Sequence, residues 1–267
     1  FAELCEQNGL RTAPIITRFD PLSPLSEHDL RERLCQTATS EGVFFKPRFG
    51  LQGHGAGRLL CDQKDNWSLT YADGGHMENS WPVIFKEFAR NCKEELIFQP
   101  LLQCHPVLKQ FNPDSIQSVR FITYRNQDEP RPLLARMRLG VNDSLVDASY
   151  TAIGVPIDLK SGKLKRGGRK ITEVLPGTIE TFGPGKCPLE GFEVPYFNEM
   201  QSLALAVHEA FPEIFSLGHD ILILSDGPII LETNHIWGNP QYAHEEGLGS
   251  FHAYINAINE IARKEGL

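Results

Sequence analysis

Gly218-His219-Asp220-Ile-Leu-Ile-Leu-Ser225-Asp226-Gly227-Pro228-Ile-Ile-Leu-Glu232-Thr233-Asn234 is two apolar runs with a turn between them. It reads as a β-hairpin with an acid on its first strand and a Glu-x-Asn pair on its second. Side chains alternate along a strand, so Glu232 and Asn234 face the same way. A three-residue loop, Ser225 to Gly227, sets Asp220 opposite Glu232, and Gly227 suits the left-handed position of such a loop. The shared face then carries two carboxylates and one amide oxygen beside Leu222 and Ile230. Carboxylates held together repel unless a cation joins them, and hard oxygen donors suit Mg2+ on a nucleotide phosphate. The plainer alternative is a hairpin with polar groups on a wet face.

A second signal lies upstream, in Phe44-Phe45-Lys46-Pro47-Arg48-Phe49-Gly50-Leu51-Gln52-Gly53-His54-Gly55-Ala56-Gly57-Arg58. A lysine ends a strand and is followed by a loop with four glycines in eight positions, Gly50 to Gly57. Glycines let backbone N–H groups approach an anion, and successive N–H groups form a nest for phosphate oxygens. Lys46 adds a fixed positive charge. The run is not Gly-x-x-x-x-Gly-Lys-Ser/Thr, and it does not open a helix, so neither a P-loop nor a dinucleotide fold is indicated.

Further on, Ile97-Phe98-Gln99-Pro100-Leu101-Leu102-Gln103 is an extended apolar segment of the kind that offers a purine a slot with backbone donors and acceptors. An ordinary buried strand reads the same way. Ser118-Val-Arg120-Phe-Ile-Thr123 places one arginine inside a β-rich run. A buried arginine needs an anion, either a carboxylate or a phosphate. Arg136 and Arg138, two apart on the next strand, share a face that is either part of the same cleft or a solvated edge. His54, His105, His219 and His235 are read as structural in the first instance. No Ser-His-Asp or Cys-His arrangement stands out, so no covalent nucleophile is expected.

The bulk numbers set limits on these readings. A chain of 267 residues, 41% hydrophobic and 22% charged, is an ordinary globular composition. A net charge of −8 without a long basic run speaks against a nucleic-acid partner. No apolar stretch approaches a membrane span, and no signal peptide is visible, so the expected location is cytoplasmic. Six cysteines at wide, irregular spacings suggest free thiols rather than zinc or disulfides. The chain opens on what reads as a helix tail, Phe1 to Asn8 closed by Gly9, as expected of a piece of a longer protein.

Predicted helices run from Ser26, as N-cap, to Thr37, from Pro82 to Cys92, from Phe197 to Phe211 and from Gly249 to Arg263. Predicted strands are 42–49, 58–61, 96–102, 117–124, 133–141 and 151–158, with a basic loop, Lys160 to Lys170, and a loop-like stretch, Pro176 to Pro195. Antiparallel neighbours and helices packed on one side indicate an α+β fold. The expected division is 1–101 and 102–267. The basic loop is read as a solvated loop or as an attractor for an acidic acceptor.

Taken in order, these pieces resemble the ATP-grasp superfamily over nearly the whole chain. The runs Gln99-Pro-Leu-Leu-Gln-Cys-His105-Pro106, Ser118 to Thr123, Gly218 to Asp220 and Gly227 to Asn234 look most like its sugar-transfer associated group, which is related to α-L-glutamate ligases. The resemblance implies two α+β subdomains with ATP bound between them. It implies an ATP-dependent ligase in which ATP converts a small-molecule carboxylate into an acyl phosphate, and an amine or another nucleophile displaces the phosphate. Carried over by position, Lys46 binds ATP phosphates under a closing loop with Gly53, His54 and Gly55. Gln99 and Leu101 hold adenine, and Gln103 or His105 lies near the ribose. Asp220, Glu232 and Asn234 bind Mg2+, and Arg120 with Lys46 serves the transferring phosphoryl group. A phosphotransferase acting on a hydroxyl and a non-catalytic nucleotide-binding module are the alternatives. The group's Asp-Asn pair before a double glycine is replaced here by Asp147-Ala148-Ser149 and Gly154, and a further phosphate-binding lysine has no counterpart.

Overall fold

The computed structural model describes residues 1–37, 42–49, 54–62, 65–126, 129–141, 152–170, 178–237 and 249–265. The helices are α1 (Ala2–Gln7), α2 (Glu27–Thr37), α3 (Trp81–Asn91), α4 (Phe197–Glu209) and α5 (Gly249–Glu265). The first seven strands are β1 (Thr17–Phe19), β2 (Val43–Pro47), β3 (Gly57–Cys61), β4 (Trp67–Tyr71), β5 (His76–Asn79), β6 (Leu96–Pro100) and β7 (Ser118–Asn126). The remaining seven are β8 (Glu129–Leu139), β9 (Ile153–Ile157), β10 (Arg169–Lys170), β11 (Thr181–Phe182), β12 (Cys187–Pro188), β13 (Ser216–Leu224) and β14 (Gly227–Asn234). This is an α+β fold in which every strand pair among the described residues is antiparallel.

The chain divides into two compact units. One takes Ala13–Gln103; the other takes Phe1–Thr12 together with the described residues from Cys104 onward. The single cut at 101/102 expected from sequence therefore differs at the N-terminus. The reason is local. Ile230 N–H donates to Arg11 O at 3.0 Å, Thr12 Oγ1 donates to Ile230 O at 3.0 Å, and Arg11 pairs with Asp226 at 2.6 Å. These contacts hold the first residues against β14.

The unit of residues 13–103 is a six-stranded sheet, ordered β1-β6-β2-β3-β4-β5, with α2 and α3 on one face. Ser26 caps α2: its Oγ accepts from Asp29 N–H at 3.1 Å and donates to the Asp29 carboxylate at 2.7 Å. In α3, Trp81, Ile84 and Phe88 recur at helical spacing and are buried. They meet Phe45, Trp67, Leu69 and Phe98 from the sheet in one apolar cluster. Strands β4 and β5 fill an interval that the motif reading passed over, where Trp67-Ser-Leu-Thr-Tyr71 alternates as a half-buried strand should.

The other unit centres on a second six-stranded sheet, ordered β10-β9-β8-β7-β13-β14. Its central strands are buried on both faces: residues 118–123 of β7, 134–139 of β8 and 216–223 of β13 are all buried. Helix α4 covers one face, with Phe197 against Phe121 at 6.2 Å between ring centroids. The basic stretch from Lys160 is folded rather than loose. Asp158 caps its turn, accepting from Lys160 N–H, Ser161 N–H and Ser161 Oγ, while Lys163 pairs with Glu193 and Arg166 with Glu180 at the surface. Pairs of this exposure contribute at most about 1 kcal/mol. The loop-like stretch after 178 contains the short β11–β12 ladder. All six cysteines are free. Among the described residues no helix is long and apolar enough to cross a membrane.

Candidate functional site

Strands β13 and β14 form the hairpin expected from sequence, and Asp220 pairs with Glu232. The route to that register is different. The loop has two residues, Ser225 and Asp226, closed by the pair Leu224 and Gly227. Gly227 has φ of +124°, a conformation open to glycine. Pairs then run in step to Ile221 and Ile230, and the register shifts by one before Asp220 and Glu232. A β-bulge at Leu231 thus supplies the residue that a three-residue loop would have supplied. The bulge also changes the neighbours: Leu222 pairs with Ile229, while Ile230 pairs with Ile221, so Ile230 does not join the acidic face.

Beyond the bulge, Asn234 Nδ2 donates to Glu232 Oε1 at 3.0 Å, as a same-face i, i+2 pair should. Cross-strand partners share a face, so the registers place Glu232, Asp220, Arg120 and Arg136 in one row across β14, β13, β7 and β8. The next row brings Leu222, Ser118 and Arg138 together. Two acids and three guanidiniums thus stand on one face of one sheet.

Asp220 is the hub. Arg120 grips it in a fork, Nε to Oδ1 at 2.5 Å and Nη2 to Oδ2 at 2.9 Å. Arg138 Nη1 adds a contact to Oδ1 at 3.2 Å. Arg120 Nη1 also donates to Trp237 O at 3.0 Å. Gly218 makes room for that contact: a Cβ there would lie 2.3 Å from Trp237 Cβ. The Asp220 carboxyl feels opposed influences. Burial raises its pKa, Arg138 and Arg120 lower it, and Glu232 raises it by like charge and by hydrogen bonding, for a net upward shift. Two carboxylates in such contact must share a proton or a cation.

The expectation that Arg120 meets either a carboxylate or a phosphate is answered for this state by Asp220. Arg136 and Arg138 are 6% and 2% exposed, so the solvated-edge alternative does not hold. Arg138 is a member of the cluster that sequence reasoning did not single out as a site residue; its two-residue spacing from Arg136, on a strand next to Arg120, was the available signal.

In the other unit, Lys46 and Phe44 lie on the sheet face away from the apolar cluster, because Val43 and Phe45 point into it. Registers add Arg58, Gln99, Ile97 and Arg18 to that face. His54 and Gly55 follow in an exposed turn, whereas Gly53 lies outside the described residues, as does Asp147. Gln99 is buried and its Nε2 donates to Ala13 O at 2.9 Å. Its side chain ties the start of this unit to β6, and its backbone pairs with Phe44 in the β2–β6 ladder. Leu101 N–H already donates to Gly42 O at 3.1 Å, so Leu101 has its carbonyl and side chain to offer rather than its amide.

Gln103 is exposed and belongs with this unit; His105 belongs with the other. His105 Nδ1 accepts from Val107 N–H at 3.2 Å and caps the 3-10 turn Pro106–Gln110, and its ring meets Tyr196 edge-on. That is a structural role. Among the described residues no group of three or more His, Cys, Asp or Glu stands together as metal ligands. The candidate trio instead counts two carboxylates and an amide. These hard oxygens fit Mg2+ in kind.

The sequence model described as sugar-transfer associated ATP-grasp matches residues 1–257. Among solved structures, N5-carboxyaminoimidazole synthetase from Staphylococcus aureus is similar over 97% of this chain and 49% of its own, at 11% identity and a TM-score of 0.51. The same protein in complex with ADP is similar over 96% of this chain and 49% of its own, at 10% identity and a TM-score of 0.50. An ADP complex of an N5-carboxyaminoimidazole ribonucleotide synthetase is similar over 90% and 45%, at 13% identity and a TM-score of 0.50. At these identities the likeness is one of fold. The chain spans about half the length of each of these structures. No curated protein matches the sequence.

Proposed function

The chain belongs to the sugar-transfer associated ATP-grasp family, and we propose that it is an ATP- and Mg2+-dependent ligase that joins a small-molecule carboxylate to an amine or a related nucleophile through an acyl phosphate. The observation that carries this reading is the Asp220–Glu232 register pair, with Asn234 on the same face and 3.0 Å from Glu232. Two carboxylates and an amide oxygen on one face form a hard-oxygen donor set that suits Mg2+, and Arg120 and Arg138 hold Asp220 in place within it. Bound there, Mg2+ would neutralise charge on the phosphates during transfer.

The neighbouring side chains suit phosphoryl transfer, in which a protein positions groups and offsets charge more than it makes covalent bonds. Arg120 has five N–H donors, and the contacts to Asp220 and Trp237 use three of them. One donor on each terminal nitrogen is left to take a phosphoryl or acyl-phosphate oxygen. The fork to Asp220 holds the guanidinium plane still, so that little side-chain entropy remains to be lost on binding. In this reading Lys46 supplies a second fixed charge for the ATP phosphates, and the turn containing His54 and Gly55 brings backbone N–H groups to them. Gln99 and Leu101 hold adenine, Leu101 through its carbonyl and side chain.

The test is product analysis. The chain incubated with ATP, Mg2+ and a panel of carboxylic acids paired with amines should release ADP and free phosphate in step with an amide product. Glu232→Gln should lower that rate by two orders of magnitude or more, in the range for loss of a group central to charge stabilisation. ADP formed together with a phosphorylated hydroxyl acceptor would replace the ligase by a phosphotransferase. ATP binding without turnover under any pairing would leave a nucleotide-binding module.

A further inference from the structure

On the sheet face covered by α4, opposite the acidic row, runs a chain of four side chains, three buried and the last, Thr233, half-buried. His208 Nε2 lies 2.9 Å from Ile214 O. His208 Nδ1 lies 2.6 Å from Thr123 Oγ1, which lies 2.9 Å from His219 Nε2. His219 Nδ1 lies 3.0 Å from Thr233 Oγ1. His208, Thr123 and His219 have no exposed surface. Both rings are wholly buried and their nitrogens meet two hydroxyls and a carbonyl, an environment that favours the neutral imidazole.

The direction of every bond in this chain is forced. A carbonyl only accepts, so His208 carries its proton on Nε2 and accepts at Nδ1. Thr123 must then donate its single hydroxyl proton to His208. With that proton spent, Thr123 accepts from His219 Nε2–H. His219 therefore accepts at Nδ1, and Thr233 donates to it. Four hydrogen bonds run one way, from β14 to the loop after α4.

The chain ends where the candidate site is weakest mechanically. Among the described residues β14 is an edge strand, with β13 as its only ladder partner. The bulge at Leu231 interrupts the ladder just ahead of Glu232. The bridge to Thr12 reaches only Ile230, on the far side of that bulge. Glu232, Thr233 and Asn234 thus follow a break in register at the rim of the sheet, and Thr233 sits between the two candidate ligands.

We propose that the His208–Thr123–His219–Thr233 chain is a positioning device that pins Thr233 and so holds Glu232 and Asn234, on the opposite face, in the arrangement that takes a divalent cation. This rests on the reading of Asp220, Glu232 and Asn234 as cation ligands. Supporting groups behind metal ligands tune affinity by about 10–100-fold, and here the support acts through the backbone of the strand.

The probe is Mn2+ titrated into the whole chain with a non-hydrolysable ATP analogue, followed by electron paramagnetic resonance. Thr233→Val keeps the shape and deletes the hydroxyl; it should weaken Mn2+ binding about 10-fold. Thr233→Ser restores the donor and should return affinity to that of the unaltered chain. Glu232→Gln serves as the reference and should abolish binding. If Thr233→Val and Thr233→Ser both bind Mn2+ normally while Glu232→Gln does not, the positioning role is overturned and the ligand reading stands. If Glu232→Gln binds normally, the ligand reading falls and takes this inference with it. Imidazole 15N spectra of the unaltered chain give a check that needs no variant to fold: both histidines should carry their proton on Nε2, and an Nδ1–H tautomer at His219 would overturn the chain as drawn.

Discussion

In the sheet of residues 17–100 the buried face is filled with rings, Phe45 meeting Tyr71, Phe88 and Phe98 at centroid distances of 5.2 to 6.0 Å, whereas the sheet of residues 118–234 buries three arginines, an aspartate and a histidine, with a second histidine buried on α4. Both have six antiparallel strands. They differ in what their interiors are for. Apolar rings gain free energy from burial in almost any close-packed arrangement. Buried ions cost desolvation and return it only in one geometry. The first sheet is built for stability, and the second gives up some stability to hold particular atoms in particular places.

The largest effect expected from this contrast is in the ring cluster. Phe45→Ala should destabilise the unit of residues 13–103 by about 3–5 kcal/mol through lost burial and the cavity left behind. Urea unfolding followed by tryptophan fluorescence reports on it directly, since Trp67 and Trp81 belong to the same cluster. A loss under 1 kcal/mol would break the comparison at its apolar end.

Asp220→Asn should come next, at about 3 kcal/mol, because it leaves Arg120 and Arg138 buried against a neutral amide. Thermal unfolding would measure it. Replacing Arg120 and Arg138 together with Asp220 by apolar residues of similar size should recover much of that loss while ending ATP turnover. Recovery of both stability and activity would show that the charges are not there for position.

The smallest effect is a pH slope. Burial holds the pKa of His208 below its ordinary 6.5. The unfolded chain therefore binds a proton there at a pH where the folded chain does not, so folding stability should fall as pH drops below about 6.5. His208→Gln should make that slope shallower in denaturation curves collected between pH 7 and pH 5, and the buried His219, its pKa lowered to about 3, supplies the rest. An unchanged slope would assign it to other groups.

Much of this architecture is written locally, and the rest is not. The Glu232-x-Asn234 pair and the amphipathic α4 follow from alternation and helical spacing, which any short window reveals. The Asp220–Glu232 register is readable too, but only because a two-residue turn plus a bulge gives the same offset as a three-residue loop. A bulge at a leucine leaves no mark in composition, so the loss of Ile230 from the acidic face could not be read. The Arg138–Asp220 pair spans three strands, and the contacts of Thr123 with His208 and His219 span 85 and 96 residues. Such partnerships are set by which strands end up adjacent. The alternation in Trp67 to Tyr71 was legible in principle, but it carries no chemistry and is invisible to a search that follows motifs.

The docking of Arg11 and Thr12 on Ile230 has a consequence for the behaviour of the protein in solution. An unpaired strand offers its N–H and C=O groups to any extended chain, a second copy included. Here a short stretch from the start of the chain occupies those groups at the midpoint of β14. Arg11 and Thr12 therefore cover β14 at Ile230 against strand addition, while the residues beyond the bulge lie outside their reach.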